Sequence, residues 1–254
     1  MDMNMPVVYF VGAGPGDPEL ITVKGADLLR RADVVVYAGS LVNPALLDLC
    51  RPGAVIYDSA GMHLQEMVRV MAEAAGEGKV VVRLHTGDPS LYGAIQEQMD
   101  ALADQGVECR VVPGVSSFFA AAASLKQELT LPEVTQTVIL TRLAGRTSVP
   151  QHEEMRQLAR HQATMCIFLS VHMIRELVAE LLAGGYPADT PVAVVYRASW
   201  PDERIVRGTL ADIADRVTEA GIKKTALIIV SRVLAGNYTP SRLYDAGFAH
   251  GYRS

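Results

Sequence analysis

The 254-residue chain is half hydrophobic and one-fifth charged, enough apolar mass for one large or two modest domains and too much for global disorder. Its formal net charge of −5 excludes a broad nucleic-acid surface. No apolar run approaches the roughly 20 residues of a membrane-spanning helix, and residues 1–6 lack the basic start and apolar core of a signal peptide, so a cytoplasmic protein is expected.

The first half alternates strand and helix signals. Strands are predicted near 7–11, 34–38, 54–57, 80–84 and 107–112, and helices near 22–31, 44–50, 64–75, 90–104 and 115–124. Thr22 is placed to cap the first helix, while Gly76-Glu77-Gly78 and Gln105-Gly106 end two others before the next strand. Such alternation with short links implies βαβ units and a mostly parallel sheet. Lys126 to Gln136, with Pro132, reads as a connector. Beyond it come strands near 136–141, 164–169, 192–196, 204–209 and 225–231, with helices near 151–161, 173–183 and 210–220. Trp200-Pro201-Asp202-Glu203 lies between two of these strands and suggests an antiparallel pair, hence a second, mixed sheet. The expected division is an N-terminal α/β domain at 1–125, a connector at 126–135 and a C-terminal α/β domain at 136–254. Tyr238, Tyr244, Phe248 and Tyr252 make the last segment too aromatic for a solvated tail, so it is expected to pack.

Two Gly-Asp-Pro loops carry the chemical information. Val7-Val8-Tyr9-Phe10-Val11 runs into Gly12-Ala13-Gly14-Pro15-Gly16-Asp17-Pro18, and Val80-Val81-Val82-Arg83-Leu84 into His85-Thr86-Gly87-Asp88-Pro89. Ligands of open α/β sheets bind beyond the carboxyl ends of the strands, where glycine lets bare backbone line a pocket. A pyrophosphate site would want Gly-x-Gly-x-x-Gly opening into a helix. Here the spacing is one residue tighter, Pro15 has no N–H to donate, and Asp17 sits where phosphate charge would fall. Asp33, the one residue resembling a ribose-binding acid, precedes its strand instead of ending it. A neutral or cationic ligand rich in hydrogen-bonding groups suits these loops better. Turn capping explains either aspartate alone.

Cys50, Cys109 and Cys166 are far apart, and the six histidines form no pair at metal-ligand spacing, so no metal is expected. The cations are 18 Arg against 5 Lys, with twelve arginines after Lys126. Arginine is the better fork for carboxylates, though a codon bias toward solvated arginine accounts for most of them.

Val11 to Pro18 followed by Leu20-Ile21-Thr22, then Thr86-Gly87-Asp88-Pro89-Ser90-Leu91-Tyr92-Gly93, then Val112-Pro113-Gly114-Val115-Ser116-Ser117, resemble in order the three signatures of the tetrapyrrole methylases. The segments at Tyr57 to Met62, at Tyr196 to Glu203 and at the end (Leu243-Tyr244-Asp245, His250 to Arg253) are similar to the precorrin-4 branch of that family. The resemblance implies two α/β domains with S-adenosyl-L-methionine in the cleft between them, a homodimer, and methylation of carbon 11 of the tetrapyrrole precorrin-4 during cobalamin synthesis. It also implies cofactor contacts at Pro15, Thr86, Gly87, Asp88, Leu91, Ser116 and Ser117, the last standing where relatives often carry alanine. Leu169, Ala198, Thr225 and Ala226 match positions around the adenine, although strand core is the plainer reading of Leu169 and Ala226. Arg197, beside Ala198, is the candidate for the substrate's carboxylates, with an internal ion pair to Asp202 or Glu203 as the equal alternative. Relatives that methylate uroporphyrinogen carry Gly-Arg-Gly-Gly-Glu where this chain reads Gly93-Ala94-Ile95-Gln96-Glu97; the arginine is missing, and no catalytic base is assigned. Alternatives are methylation at another carbon, a cobalt-containing precorrin as substrate, a nicotinamide-dependent oxidoreductase, or a non-catalytic sensor of S-adenosylmethionine.

Overall fold

The computed structural model describes residues 5–236, 238–241 and 251. The chain divides into two units: Met1–Ala120 with Ser199–Asp202, and Ala121–Ala198 with Glu203–Ser254.

In the first unit, β1 (Val7–Gly12), β2 (Val34–Tyr37), β3 (Val55–Asp58), β4 (Val81–His85) and β5 (Glu108–Val112) form one parallel sheet in the order β3-β2-β4-β1-β5. The alternation of side chains explains why the apolar runs are unbroken. Val8, Phe10, Val34, Val36 and Val81 face α2 (Leu64–Gly76) and α3 (Gln96–Ala103), whereas Val11, Val35, Val82 and Leu84 face α1 (Val23–Arg31) and the 3₁₀ turn Pro44–Leu49. A sheet covered on both faces needs apolar residues at every position. Thr22 caps α1 through a bond from the Gly25 amide of 3.1 Å, as its position predicts.

The second unit holds β6 (Val138–Arg142), β7 (Thr164–Phe168), β8 (Pro191–Tyr196), β9 (Arg204–Thr209) and β10 (Ala226–Val230) in the order β6-β7-β10-β8-β9. Only β6 and β7 run parallel, so the sheet is mixed, and β8 and β9 form the antiparallel pair expected around Trp200. One face packs on α5 (Met155–Ala159), α6 (Ile174–Ala183) and α7 (Ile213–Glu219), with Met165, Ile167, Val194, Leu177, Leu181, Ile213 and Ile228 at the centre. Thr164, fully buried, bonds the Leu129 carbonyl at 2.8 Å and the Ser231 hydroxyl at 2.7 Å, which leaves no orphaned hydroxyl in that strand. α4 (Ser117–Leu125) carries the chain from the first unit into the second.

Some elements depart from expectation. The helix expected at 90–104 begins only at Gln96, because Tyr92 and Ala94 adopt left-handed backbone with Gly93 between them. The helix expected at 151–161 is split into a 3₁₀ turn at Gln151–Glu153 and the short α5. Of the aromatic tail, Tyr238 is exposed; Tyr244, Phe248, Tyr252 and the family-like ending at 243–245 and 250–253 lie outside the described residues, apart from Gly251.

Candidate active site

The connection leaving β1 runs toward β2 and the one leaving β4 runs the other way toward β5, so the two strands flank the topological switch point of the first sheet. That is where such sheets bind ligands. Both glycine loops start there and are stitched together. The Gly14 amide donates to the Gly87 carbonyl at 3.3 Å, the Gly87 amide returns a bond to Gly14 at 2.8 Å, and the Ala13 amide donates to the His85 carbonyl. Gly14 and Gly87 have φ of +77° and +60°. A Cβ on Gly12 or Gly114 would overlap the other residue's backbone and the Gly87 carbonyl, so this floor is built from main chain alone.

The first loop is then held from outside. The Trp200 indole N–H donates to the Pro15 carbonyl at 2.9 Å and its ring lies where a Gly16 side chain would be. The Asn43 side-chain Nδ2 donates to the Gly16 carbonyl at 2.8 Å, and the Asp17 backbone amide donates to the Ser199 hydroxyl at 3.0 Å. Asp17 caps the turn Pro18–Leu20 by accepting from the Glu19 amide at 2.9 Å. The plain capping role is therefore the one its carboxylate performs.

Asp88 does more. One carboxylate oxygen accepts from the Ser90 amide at 2.8 Å and the other from the Gly114 amide at 2.9 Å, 26 residues away. This bond ties the second glycine loop to the third signature. It also sets Ser116 and Ser117 beside Gly87: a Cβ there would lie 3.7 Å from the Ser116 Cα and 3.9 Å from the Ser117 nitrogen. Pro15, Thr86, Gly87, Asp88, Leu91, Ser116 and Ser117 thus gather at the carboxyl ends of β1, β4 and β5, with Pro15, Gly87 and Ser116 buried and Thr86, Leu91 and Ser117 partly open.

Two buried bases stand beneath this loop on β4. Burial, with the Arg83 charge nearby, lowers the His85 pKa to about 3, so the imidazole is neutral at physiological pH. Its ring stacks on Phe10 with centroids 5.9 Å apart, and its Nε2 has no hydrogen-bond partner among the described residues. Arg83 spends its guanidinium on the Gln98 side-chain oxygen at 3.0 Å and the Val36 carbonyl at 3.1 Å. Desolvation brings its pKa down to about 10.

The second unit presents a separate cluster at one end of its sheet. Leu169 follows β7, Arg197 and Ala198 follow β8, and Thr225 and Ala226 open the antiparallel β10, so register brings all five to the same end. The Arg197 amide donates to the Thr225 carbonyl at 2.9 Å. Leu169, Arg197 and Thr225 all take left-handed backbone, with φ of +54°, +48° and +54°. Left-handed backbone is costly for such side chains and concentrates at functional sites. Leu169 is 62% exposed, which rules out the strand-core reading, while Ala198 is buried and Ala226 partly buried. Of the arginines after Lys126, Arg142 is committed to the carbonyls of Thr147 and Ser148, and Arg156 pairs with Glu180.

Asp33, weighed as a ribose acid, instead pairs with Arg51 and accepts from the Val80 amide at 2.7 Å, so it clips β2 to the start of β4. Asn43, Ser199 and Trp200 were not expected at the first loop. Trp200, the one tryptophan of the chain, set in a turn, was the available signal. Among the described residues, no helix is long and apolar enough to cross a membrane.

A family model described as Tetrapyrrole (Corrin/Porphyrin) Methylases matches residues 7–214. A cobalt-precorrin-4 C(11)-methyltransferase of Methanocaldococcus jannaschii is 61% identical over 254 residues, covering 100% of this chain and 98% of that protein. The X-ray structure of a cobalamin biosynthetic enzyme, cobalt precorrin-4 methyltransferase, superposes with a TM-score of 0.88 at 53% identity, covering 90% of this chain and 95% of the other. A uroporphyrin-III C-methyltransferase of Thermus thermophilus, crystallised with S-adenyl homocysteine, gives 0.75 at 33% identity over 89% and 92% of the two chains.

Proposed function

Because the chain belongs to the tetrapyrrole (corrin/porphyrin) methylases, we propose that it is an S-adenosylmethionine-dependent methyltransferase acting on carbon 11 of precorrin-4 in cobalamin biosynthesis. The cobalt-bound form of the substrate is favoured by the relative that matches the whole chain. The protein is proposed to work in the cytoplasm, as a homodimer.

The observation that carries this reading is the main-chain floor at the switch point, where Gly12, Gly14, Gly87 and Gly114 converge with no side chain between them. Backbone donors and acceptors with carboxylates nearby fit a zwitterionic sulfonium ligand and suit a pyrophosphate poorly. Pro15, Thr86, Gly87, Asp88, Leu91, Ser116 and Ser117 are proposed to hold its ribose and methionine parts. Leu169, Ala198, Thr225 and Ala226 are proposed to enclose its adenine, Leu169 through its exposed aliphatic face.

S-adenosylmethionine, when bound, supplies the methyl group. The macrocycle carbon is enamine-like and already nucleophilic, so the residues of this chain have to bind, orient and exclude water. Orientation alone can lower such a barrier by up to about 7–11 kcal/mol. Arg197 is proposed to take a carboxylate of the substrate, and no residue is assigned as a base.

Calorimetry should show S-adenosylhomocysteine binding and no NADH binding; tight NADH binding alone would return the protein to the oxidoreductases. Precorrin-4 and its cobalt form, each supplied with a labelled methyl donor, should yield a product carrying one labelled methyl at carbon 11 by mass spectrometry and NMR. Label at another carbon would overturn the position. Turnover of the metal-free form alone would overturn the preference for cobalt.

A further inference from the structure

The loop after Asp88 is held in a shape that its own residues resist. Tyr92 and Ala94 have φ of +57° and +48°, and a Cβ on the intervening Gly93 would overlap the Pro89 carbonyl oxygen. Bulky residues rarely sit in this region, and such backbone persists only where the surroundings over-determine it.

The surroundings here are a chain of hydrogen bonds, buried at Arg83 and partly buried at Ala94. The Val36 carbonyl on β2 accepts from Arg83 Nη1 at 3.1 Å, Arg83 Nε donates to Gln98 Oε1 at 3.0 Å, and Gln98 Nε2 donates to the Ala94 carbonyl at 2.9 Å. Arg83 is 5% exposed and Gln98 3%. Among the described residues no carboxylate pairs with Arg83, so a buried charge is spent on fixing one glutamine. That glutamine grips the left-handed residue two positions after Tyr92. At the far end of the device Tyr92 keeps 43% of its surface open, one residue beyond Leu91.

We infer that Tyr92 is a specificity-determining contact for one face of the tetrapyrrole, and that the Arg83–Gln98 pair is the positioning device that holds it there. An aromatic ring on a rigid loop presents apolar area without losing rotamer freedom on binding, which suits contact with the face of a bulky, largely apolar macrocycle. The pair acts through Ala94 on the direction of the loop and touches no reacting atom. This rests on the tetrapyrrole methylation reading above.

Steady-state kinetics with the tetrapyrrole that the wild-type protein turns over, calorimetry with S-adenosylhomocysteine and thermal denaturation test it on the full chain. Tyr92→Ala should raise KM for the tetrapyrrole about three- to tenfold and leave the S-adenosylhomocysteine Kd within error. Tyr92→Phe should restore KM. Gln98→Glu keeps an acceptor for Arg83, so the fold stands, but its carboxylate has nothing to donate to Ala94. It should raise the tetrapyrrole KM and leave the S-adenosylhomocysteine Kd within error, whatever the lost bond to Ala94 costs in Tm. Combined with Tyr92→Ala it should add nothing, since both lesions remove the same contact. Unchanged KM in Tyr92→Ala, a matching loss of S-adenosylhomocysteine affinity, or additive effects in the double variant would each overturn the inference. If the wild-type protein itself turns over no tetrapyrrole, the functional reading has failed instead.

Discussion

Leu169→Gly separates a site residue from a core residue by its energetics. In the left-handed region a non-glycine residue costs about 1–2 kcal/mol, which glycine relieves. Against that, glycine loses about 0.5–1 kcal/mol more backbone entropy on folding. Full burial of a leucine is worth about 1.5–3 kcal/mol, and Leu169 is 62% exposed, so its removal forfeits only about 1 kcal/mol. These contributions nearly cancel. The variant should stay within about 1 kcal/mol of the parent, a Tm shift of no more than about 2–4 °C for a protein of this size. Ile167→Ala, two residues earlier in β7 and fully buried, should by contrast lose about 2–5 kcal/mol. Thermal denaturation of both variants gives the stabilities, and calorimetry with S-adenosylhomocysteine gives the affinity. Loss of one apolar wall against the ligand should weaken binding about tenfold, or about 1.4 kcal/mol. A Leu169→Gly variant that loses more than 2 kcal/mol of stability yet binds normally would refute the reasoning and make Leu169 a folding residue.

His85 has its pKa lowered to about 3 by burial first and Arg83 second, so the unfolded chain takes up a proton below about pH 6.5 that the folded one refuses. This group should therefore remove about 2 kcal/mol of stability between pH 7.5 and 5, most of it below pH 6.5, and nothing above pH 7.5. His85→Phe, which keeps the stack on Phe10, should lose that slope in urea denaturation; equal slopes in the two proteins would contradict it. Asp88→Asn can still accept from the Ser90 amide but turns a donor toward the Gly114 amide, a loss of about 1.5–3 kcal/mol. Both Tm and S-adenosylhomocysteine affinity should fall, and a protein unchanged in both would make the Gly114 bond idle. Arg197→Gly keeps the left-handed backbone and should raise the tetrapyrrole KM about 10- to 150-fold with cofactor affinity unchanged. Arg197→Lys should recover part of this, since the planar fork is lost; a normal KM in Arg197→Gly would end the substrate role.

The strands were legible because the parallel sheet is covered on both faces and writes itself as runs such as Val34-Val35-Val36 and Val80-Val81-Val82. The glycine loops were legible for the same reason the structure needs them: Gly12 and Gly114 leave no room for a Cβ. Leucine, arginine and threonine carry no signal for positive φ, so the backbone at Leu169, Arg197 and Thr225 could not be read from their names. Nor could the bond from Asp88 to Gly114 or the chain from Arg83 to Gln98, because spacings of 26 and 15 residues correspond to no local periodicity. Asp33 was set aside correctly from its position before the strand, but its ion pair with Arg51 is a tertiary fact.

The four residues Ser199–Asp202 belong to the first unit although both of their chain neighbours belong to the second. Through Ser199 and Trp200 they hold Asp17 and Pro15, from 182 and 185 residues away. On the ribosome, at about 5–20 residues per second, the first glycine loop waits roughly 10–40 s for these partners. Its sheet can condense long before that. The loop is therefore the last piece of the first unit to acquire its native contacts, and translation stalled anywhere before Ser199 leaves a folded sheet whose first glycine loop is unfinished.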